Sequence, residues 1–475
     1  MKILMVWSRG FGADRILPLP YGYLINRIDR TKHQVKLLNC ALDDISYEDP
    51  EFEKSLLDFN PDVLAFSSWS LFYHEVRRGI KIARKILPHA KIIIGGNHPS
   101  MHPQVLREDP EIDFAFKGES DLAIAPFLEE LESTSPDFSR VPGLCYLKND
   151  VVIENPVYFT PNLDVIAPPD YQFMEFDRYL KAGYRLETKS KSSVVLLGTR
   201  GCPYTCSFCC VPIHSGQKHR THSVDYLLDH LDMLNKTYGT NYFNFGDDNF
   251  TNDMNFAKSF CRKLIERKRN YTLATPRGIR MQRTDQELFH LMKEAGWEEV
   301  VLAPESGSDR VLAIMHKSQS ADTIYTKVKE AKNAGLYVVL NVIIGYPGET
   351  LEDIQKTREM LRKCRPHFFY IFNFNPLPGT PVYKELVEKE EITDRMLPKN
   401  FGEVDRVYTP ASLKGVNFSR IVLAEYLNLF LHRPHYPIVF AFRKLKFRWS
   451  LYYLYINFLY IFTNRSDAAK IRKYT

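Results

Sequence analysis

Thr199-Arg200-Gly201-Cys202-Pro203-Tyr204-Thr205-Cys206-Ser207-Phe208-Cys209-Cys210 is the stretch on which the reading of this chain turns. It follows the apolar run Val194-Val195-Leu196-Leu197-Gly198, which reads as a strand, so the cysteines stand on a loop at a strand's carboxyl end. Three thiolates this close suit three irons of a cubane cluster and leave the fourth iron open, much as catalytic metal sites keep a vacant position. Cys210 directly follows Cys209, so their side chains diverge and Cys210 is read as a non-ligand. Two other readings stand beside the cluster: zinc completed by His214 or His219, and an inert loop. Disulfides are disfavoured, because eight cysteines in 475 residues behind Met1-Lys2-Ile3-Leu4-Met5-Val6, with no signal peptide, fit a reducing, cytoplasmic setting.

Downstream of the loop, strand-like and helix-like segments alternate. Strands are expected at 194–198, 242–245, 272–275, 299–303, 338–344 and 368–372, with helices at 224–237, 255–267, 285–295, 308–315, 321–334 and 351–364. Six such units predict a partial (β/α)6 barrel of the TIM type, where chemistry gathers at the carboxyl ends of the strands. Those ends are polar: Gly246-Asp247-Asp248-Asn249, Pro276-Arg277-Gly278-Ile279-Arg280, Pro304-Glu305-Ser306-Gly307-Ser308 and Gly345-Tyr346-Pro347-Gly348-Glu349. Carboxylates at two ends with arginines between them suit a zwitterion carrying ribose hydroxyls, and S-adenosylmethionine offers those groups. Taken singly, Asp248-Asn249 also reads as a helix cap and Glu349 as a first-turn acid.

Upstream, strands at 2–7, 35–39, 62–67, 91–94 and 113–116 enclose helical segments such as Tyr73 to Leu87, predicting a doubly wound, flavodoxin-like parallel sheet. Ligands in such sheets lie beyond the strand ends, here Ser67-Ser68-Trp69-Ser70, Gly95-Gly96-Asn97-His98 and Lys117-Gly118-Glu119. Gly95 and Gly96 would let backbone approach a flat ligand, although a tight turn needs the same residues. The expected division is 1–142 for this α/β domain, 143–191 for a proline-bearing linker, 192–389 for the barrel and 390–475 for a helical C-terminal region.

The cysteine loop, Phe245 to Thr251, Glu305 to Lys317, Gly345 to Thr350 and Pro376-Leu377-Pro378-Gly379-Thr380-Pro381 together resemble the radical S-adenosylmethionine superfamily, in its cobalamin-binding class. The resemblance runs to about Lys389. It implies that Cys202, Cys206 and Cys209 bind a 4Fe-4S cluster whose open iron takes the amino and carboxylate groups of S-adenosylmethionine. It also implies that Phe208 lies near the adenine, Asp247 and Asp248 near the methionine amine, Arg280 near the carboxylate, Glu305 on the ribose and Ile344 near adenine, with Gly246 and Gly345 also in the S-adenosylmethionine site. For cobalamin it implies Ser68, Gly95, Gly96, Gly118 and Glu119. The Asp-x-His-x-x-Gly signature of a lower axial histidine is absent after Trp7, where Ser8-Arg9-Gly10-Phe11-Gly12-Ala13-Asp14 stands, which leaves His98 as a substitute or a turn residue.

The composition is globular, at 44% hydrophobic and 25% charged, and a net charge of +6 over this length gives no nucleic-acid signature. Near the C-terminus, Arg443, Lys444, Lys446 and Arg448 precede Trp449 and the aromatic run from Leu451 to Phe462, which is bounded by Arg448 and Arg465. This run is shorter than the roughly 18–20 residues of a spanning helix, so it is read as a packed terminal helix or a peripheral membrane or lipophilic-substrate contact. Three functions follow: methyl transfer to an unactivated carbon or phosphorus of a small molecule, with a flavodoxin or ferredoxin as reductant; a radical cyclisation or rearrangement without methyl transfer; and a zinc-containing binding protein.

Overall fold

Runs such as Val63-Leu64-Ala65-Phe66 carry no period-two alternation, and a strand buried on both faces has no use for one. The computed structural model describes residues 1–11, 16–182, 192–393 and 408–433. Ala13, Asp14 and the basic, aromatic C-terminal segment lie outside the described residues. The chain divides into two compact units, neither continuous in sequence. Among the described residues the first holds 1–182, 198–233 and 376–393, and the second holds 192–197, 234–375 and 408–433. Residues 198–233, expected in the barrel segment, therefore pack with the first unit.

The first unit is built on β1 (Lys2–Trp7), β2 (Gln34–Asn39), β3 (Val63–Ser67), β4 (Lys91–Gly95), β5 (Phe114–Phe116), β6 (Leu144–Lys148) and β7 (Val151–Glu154), in the order β2-β1-β3-β4-β5-β6-β7. The first five are parallel, with Ser67 opposite Gly95, so their carboxyl ends form one rim. Helices cover both faces. Val76, Ile80 and Ala83 of the helix Tyr73–Ile86, spaced three to four residues apart, pack with Leu64, Phe66, Ile92 and Ile94. Tyr21, Phe127 and Leu128 pack with Ile3, Met5 and Ile93 on the other face. Each such side chain contributes about 1.5–3 kcal/mol by leaving water.

One departure from expectation lies in the linker. Residues 144–154 form the antiparallel pair β6–β7, which extends the sheet past β5. Asn149 and Asp150 both take positive φ, 50° and 60°, as a two-residue hairpin turn requires.

The cysteine loop belongs to this unit. It is closed at its base by a short antiparallel pair, β9 (Thr199–Arg200) with β10 (Arg220–Thr221).

The second unit is a six-stranded parallel sheet ordered β15-β14-β13-β12-β11-β8, from β8 (Ser193–Leu196), β11 (Tyr242–Phe245), β12 (Thr272–Ile279), β13 (Trp297–Glu305), β14 (Tyr337–Ile344) and β15 (Phe368–Asn373). It is an open, partial barrel. Phe245, Phe260 and Trp297 pack together on its helix-covered face. Helix starts are fixed by side chains accepting backbone N–H groups: Asp253, Asp285, Ser308, Ser320 and Thr350. The cap of Met254–Glu266 is thus Asp253, which leaves Asp248 and Asn249 out of that role.

Candidate functional site

Beyond β3, β4 and β5 the loops of the first unit are tied to one another by hydrogen bonds. The Ser68 amide donates to Gly95 O at 2.8 Å, the His98 amide to Ser68 O at 3.1 Å, and the Gly118 amide to Ser100 Oγ at 3.0 Å. Gly96 sits at φ +101°, where a Cβ would lie 2.5 Å from Ser68 O, so only glycine closes this turn. At Gly95 a Cβ would meet nothing within 4 Å: open space lies over a strand end whose backbone a flat ligand can approach. That opening suits the close approach of a planar ligand to the strand end.

His98 is fully buried, stacked on Tyr73 with ring centroids 3.9 Å apart and Nδ1 3.1 Å from Ser70 Oγ, while its Nε2 has no hydrogen-bond partner among the described residues. Burial, with His102 adding to it, lowers its pKa to about 3, so the ring is neutral. Glu119 is differently employed. Both its oxygens accept from Arg220, at 2.6 and 2.9 Å, which turns the carboxylate toward the cysteine hairpin.

The cysteine loop is held by its own backbone. The Cys202 amide donates to Gly216 O at 3.1 Å and the Cys209 amide to Cys206 O at 3.0 Å. Cys206 is 8% exposed; Cys202, Cys209 and Cys210 are partly exposed. Burial first, then the charges of Cys210, Cys206 and Cys202, push the Cys209 thiol up. Mutual repulsion of that kind is relieved when cations sit among the thiolates, and metal coordination removes the thiol protons outright. The donor set therefore fits a metal cluster. His214 Nδ1 is 2.8 Å from its neighbour Ser215 Oγ. Among the described residues no three Cys, His, Asp or Glu side chains gather at the range of a single metal ion.

In the second unit the structure brings several of the expected residues together. The Arg280 amide faces Asn249 Oδ1 at 3.4 Å, the Arg280 guanidinium donates to Lys317 O, and Lys317 Nζ lies 2.6 Å from Glu305 Oε1. The ends of β11, β12 and β13 are thus joined through one polar chain. Arg280, Glu305 and Lys317 are each buried, and Asp247 is 2% exposed with Asp248 beside it partly exposed. Glu305 occupies the left-handed region at φ +66°, a strained state for a long side chain, and β13 shifts register just before it. Lys317 was missed as a partner; the only signal was its place twelve residues after Glu305, across the turn that begins Ser306-Gly307-Ser308.

Gly246 extends the pairing of β11 with β8, its amide donating to Leu196 O at 2.9 Å. Gly345 donates its amide to Glu349 Oε2 at 2.5 Å, and Tyr346 adds a second bond at 3.2 Å. Burial is the main cause that raises the Glu349 pKa to about 7, and its other oxygen has no hydrogen-bond partner among the described residues. Along β14, Val338, Leu340, Val342 and Ile344 are buried while Asn341 and Ile343 are partly exposed. Tyr337 and Val339, on the same face as Ile343, are buried as well, so the strand is covered on both faces except near Asn341 and Ile343.

Comparison with known proteins agrees with this geometry. The Radical SAM superfamily model matches residues 196–361. The B12 binding domain model matches residues 16–128. An uncharacterized methyltransferase of Pyrococcus horikoshii is 26% identical over 442 residues, 91% of this chain and 93% of its own. The cytidylyl-2-hydroxyethylphosphonate methyltransferase of Streptomyces wedmorensis is 27% identical over 434 residues, 80% of this chain and 81% of its own. Among solved structures, the radical S-adenosylmethionine methyltransferase TsrM of Kitasatospora setae aligns with TM-score 0.69 at 17% identity, over 82% of this chain and 76% of that one. The cofactors are accordingly a 4Fe-4S cluster, S-adenosylmethionine and cobalamin, which removes the zinc reading of the cysteine loop. With a cobalamin-type sheet, a partial barrel and a three-cysteine loop in one chain, the protein is an enzyme that belongs to the radical S-adenosylmethionine superfamily, in its cobalamin-binding class.

Proposed function

We propose that this enzyme transfers a methyl group to an unactivated carbon or phosphorus centre of a small biosynthetic intermediate. The observation that carries the reading is the packing of the cysteine loop in one unit with the loops beyond β3, β4 and β5, because methyl transfer of this kind needs both cofactors beside one substrate. When bound, the cluster supplies the electron that cleaves S-adenosylmethionine, and cobalamin serves as methyl carrier.

The residues then have separable tasks. Cys202, Cys206 and Cys209 hold three irons and leave one for S-adenosylmethionine. Asp247 and Asp248 orient its methionine end with Gly246 beside them, Phe208 its adenine, Arg280 its carboxylate and Glu305 its ribose. Ile344 packs near adenine, with Gly345 beside it. Ser68, Gly95, Gly96, Gly118 and Glu119 form the cobalamin cradle, and His98, neutral and buried beside them, serves as a substitute lower ligand or as a turn residue.

The cytoplasm suits eight cysteines in a chain of 475 residues, and a flavodoxin or ferredoxin suits the electron demand. Among the described residues no helix is long and apolar enough to cross a membrane. The test is anaerobic reconstitution with iron, sulfide and cobalamin, then dithionite and methyl-labelled S-adenosylmethionine with candidate substrates. 5′-Deoxyadenosine, S-adenosylhomocysteine and label in product are expected. 5′-Deoxyadenosine with an unlabelled product would mean cyclisation or rearrangement instead, and neither nucleoside would end the radical reading.

A further inference from the structure

Two buried arginines stand at the base of the cysteine hairpin, and both reach the loop beyond β5. Arg200 donates to Asp121 through Nη1 at 2.7 Å and Nη2 at 3.2 Å, and lies 3.4 Å from Glu119. Arg220 grips Glu119 with both terminal nitrogens and also donates to Ser215 O at 2.7 Å and Thr160 O at 3.2 Å. Arg200 is 8% exposed, Arg220 3% and Asp121 7%. Tyr23 lies under Arg200 at 5.1 Å and Phe159 under Arg220 at 5.2 Å, so each guanidinium is stacked as well as paired. Burial opposes the charge on Asp121, but Arg200 outweighs it and holds the carboxyl ionised.

Four charges removed from water are poor stabilisers compared with well-packed apolar side chains, and their best-attested use is to fix register. Here there is something to fix. Arg200 stands two residues before Cys202, and the Cys202 amide closes the loop on Gly216 O, directly after the Ser215 carbonyl that Arg220 holds. The other end of both pairs, Glu119 and Asp121, follows Gly118 of the cobalamin cradle.

We infer that Glu119, Asp121, Arg200 and Arg220 form a positioning lock that sets the cysteine loop at a fixed place relative to the cobalamin loop, so that each cofactor affects how tightly the other is held. Planar forks at 2.6–3.2 Å define both distance and orientation, which single-point contacts from lysine do not. The lock rests on the assignment of the two loops above and carries no chemistry itself. Coupling through it is reciprocal: a filled cluster tightens cobalamin by the factor by which cobalamin tightens the cluster.

The test uses the full chain, prepared anaerobically. Hydroxocobalamin affinity is measured by absorbance titration with and without the reconstituted cluster, and loss of iron to a chelator is followed with and without cobalamin. In the wild type, the cluster is expected to tighten cobalamin at least about fivefold. Arg220→Lys and Glu119→Gln are expected to bring that ratio to within about twofold of unity. A merely structural role would weaken both cofactors and leave the ratio as it was, and that result overturns the lock, as does a wild-type ratio near one. Asp121→Asn, the mildest change, gives the same reading where the others do not fold. A wild-type protein that holds cluster but no cobalamin overturns the loop assignment, and the lock with it.

Discussion

Lys317 Nζ lies 2.6 Å from Glu305 Oε1 inside the second unit, and the carboxylate it neutralises sits on a residue in the left-handed backbone region. The ion pair offsets the burial of a charge at a position that the backbone occupies at a cost. Lys317→Met is expected to leave Glu305 as an uncompensated buried carboxylate and to cost roughly 3–5 kcal/mol. Thermal unfolding of the apoprotein measures this, and a loss below about 1 kcal/mol would place the pair in the solvated class instead. Glu305→Gln is expected to weaken S-adenosylmethionine binding by about tenfold or more, through loss of a charge-assisted bond to ribose.

The four neighbouring cysteines separate by function. Alanine at Cys202, Cys206 or Cys209 is expected to abolish cluster assembly, whereas Cys210→Ala keeps both iron and the absorption near roughly 400 nm of an iron-sulfur chromophore. Iron and sulfide assays on the four variants decide the matter. Equal loss in Cys210→Ala would make it a ligand.

The first unit should be sensitive to acid. His98 and His230 are lowered to about 3 and His222 to about 4, burial being the largest cause in each. A depressed histidine contributes stability that is intact above its ordinary value of 6.5 and is lost as pH falls toward the folded value. Unfolding below pH 6.5 therefore takes up as many as three protons, a slope of up to about 4 kcal/mol per pH unit at about 1.4 per proton. Denaturant titrations from about pH 7 to 4.5 give the slope, and a flat profile would contradict the buried, neutral assignment.

Glu349 acts in the opposite direction. Its pKa, ordinarily 4.5, is raised to about 7, so the folded state holds a proton that the unfolded state has released. Stability from this group is highest at low pH and declines between about 4.5 and 7, by an amount of order 3 kcal/mol at most. Glu349→Gln keeps an acceptor for the Gly345 and Tyr346 amides and removes the ionisation. The variant is expected to match the wild type near about pH 5 and exceed it near about pH 8; identical curves would refute the shift.

Apolar periodicity is a local property, and the elements it defines were legible in the sequence: the five parallel strands of the first unit, the six of the second and the cysteine loop between them. What escaped depends on pairings far apart in sequence. Arg200 with Asp121 and Arg220 with Glu119 span 79 and 101 residues, and nothing near any of the four marks it as buried. Glu119, expected beside cobalamin, is also half of an ion pair, and no local pattern announces that partner. The β6–β7 hairpin did have a local sign, Asn149-Asp150 between two apolar runs, but the surrounding prolines obscured it.

The discontinuity of the first unit bears on how the chain is made. The cysteine loop joins that unit only after the linker, and residues 376–393 return to it after the whole second sheet, the Val382 amide bonding Ser207 O at 3.0 Å. A ribosome delivering residues in order therefore cannot release a finished first unit before the second has been synthesised. Cutting the gene at the linker would separate the cysteine loop from its support, so the enzyme is expected to mature, and to take up its iron, only once both units have been made in one chain.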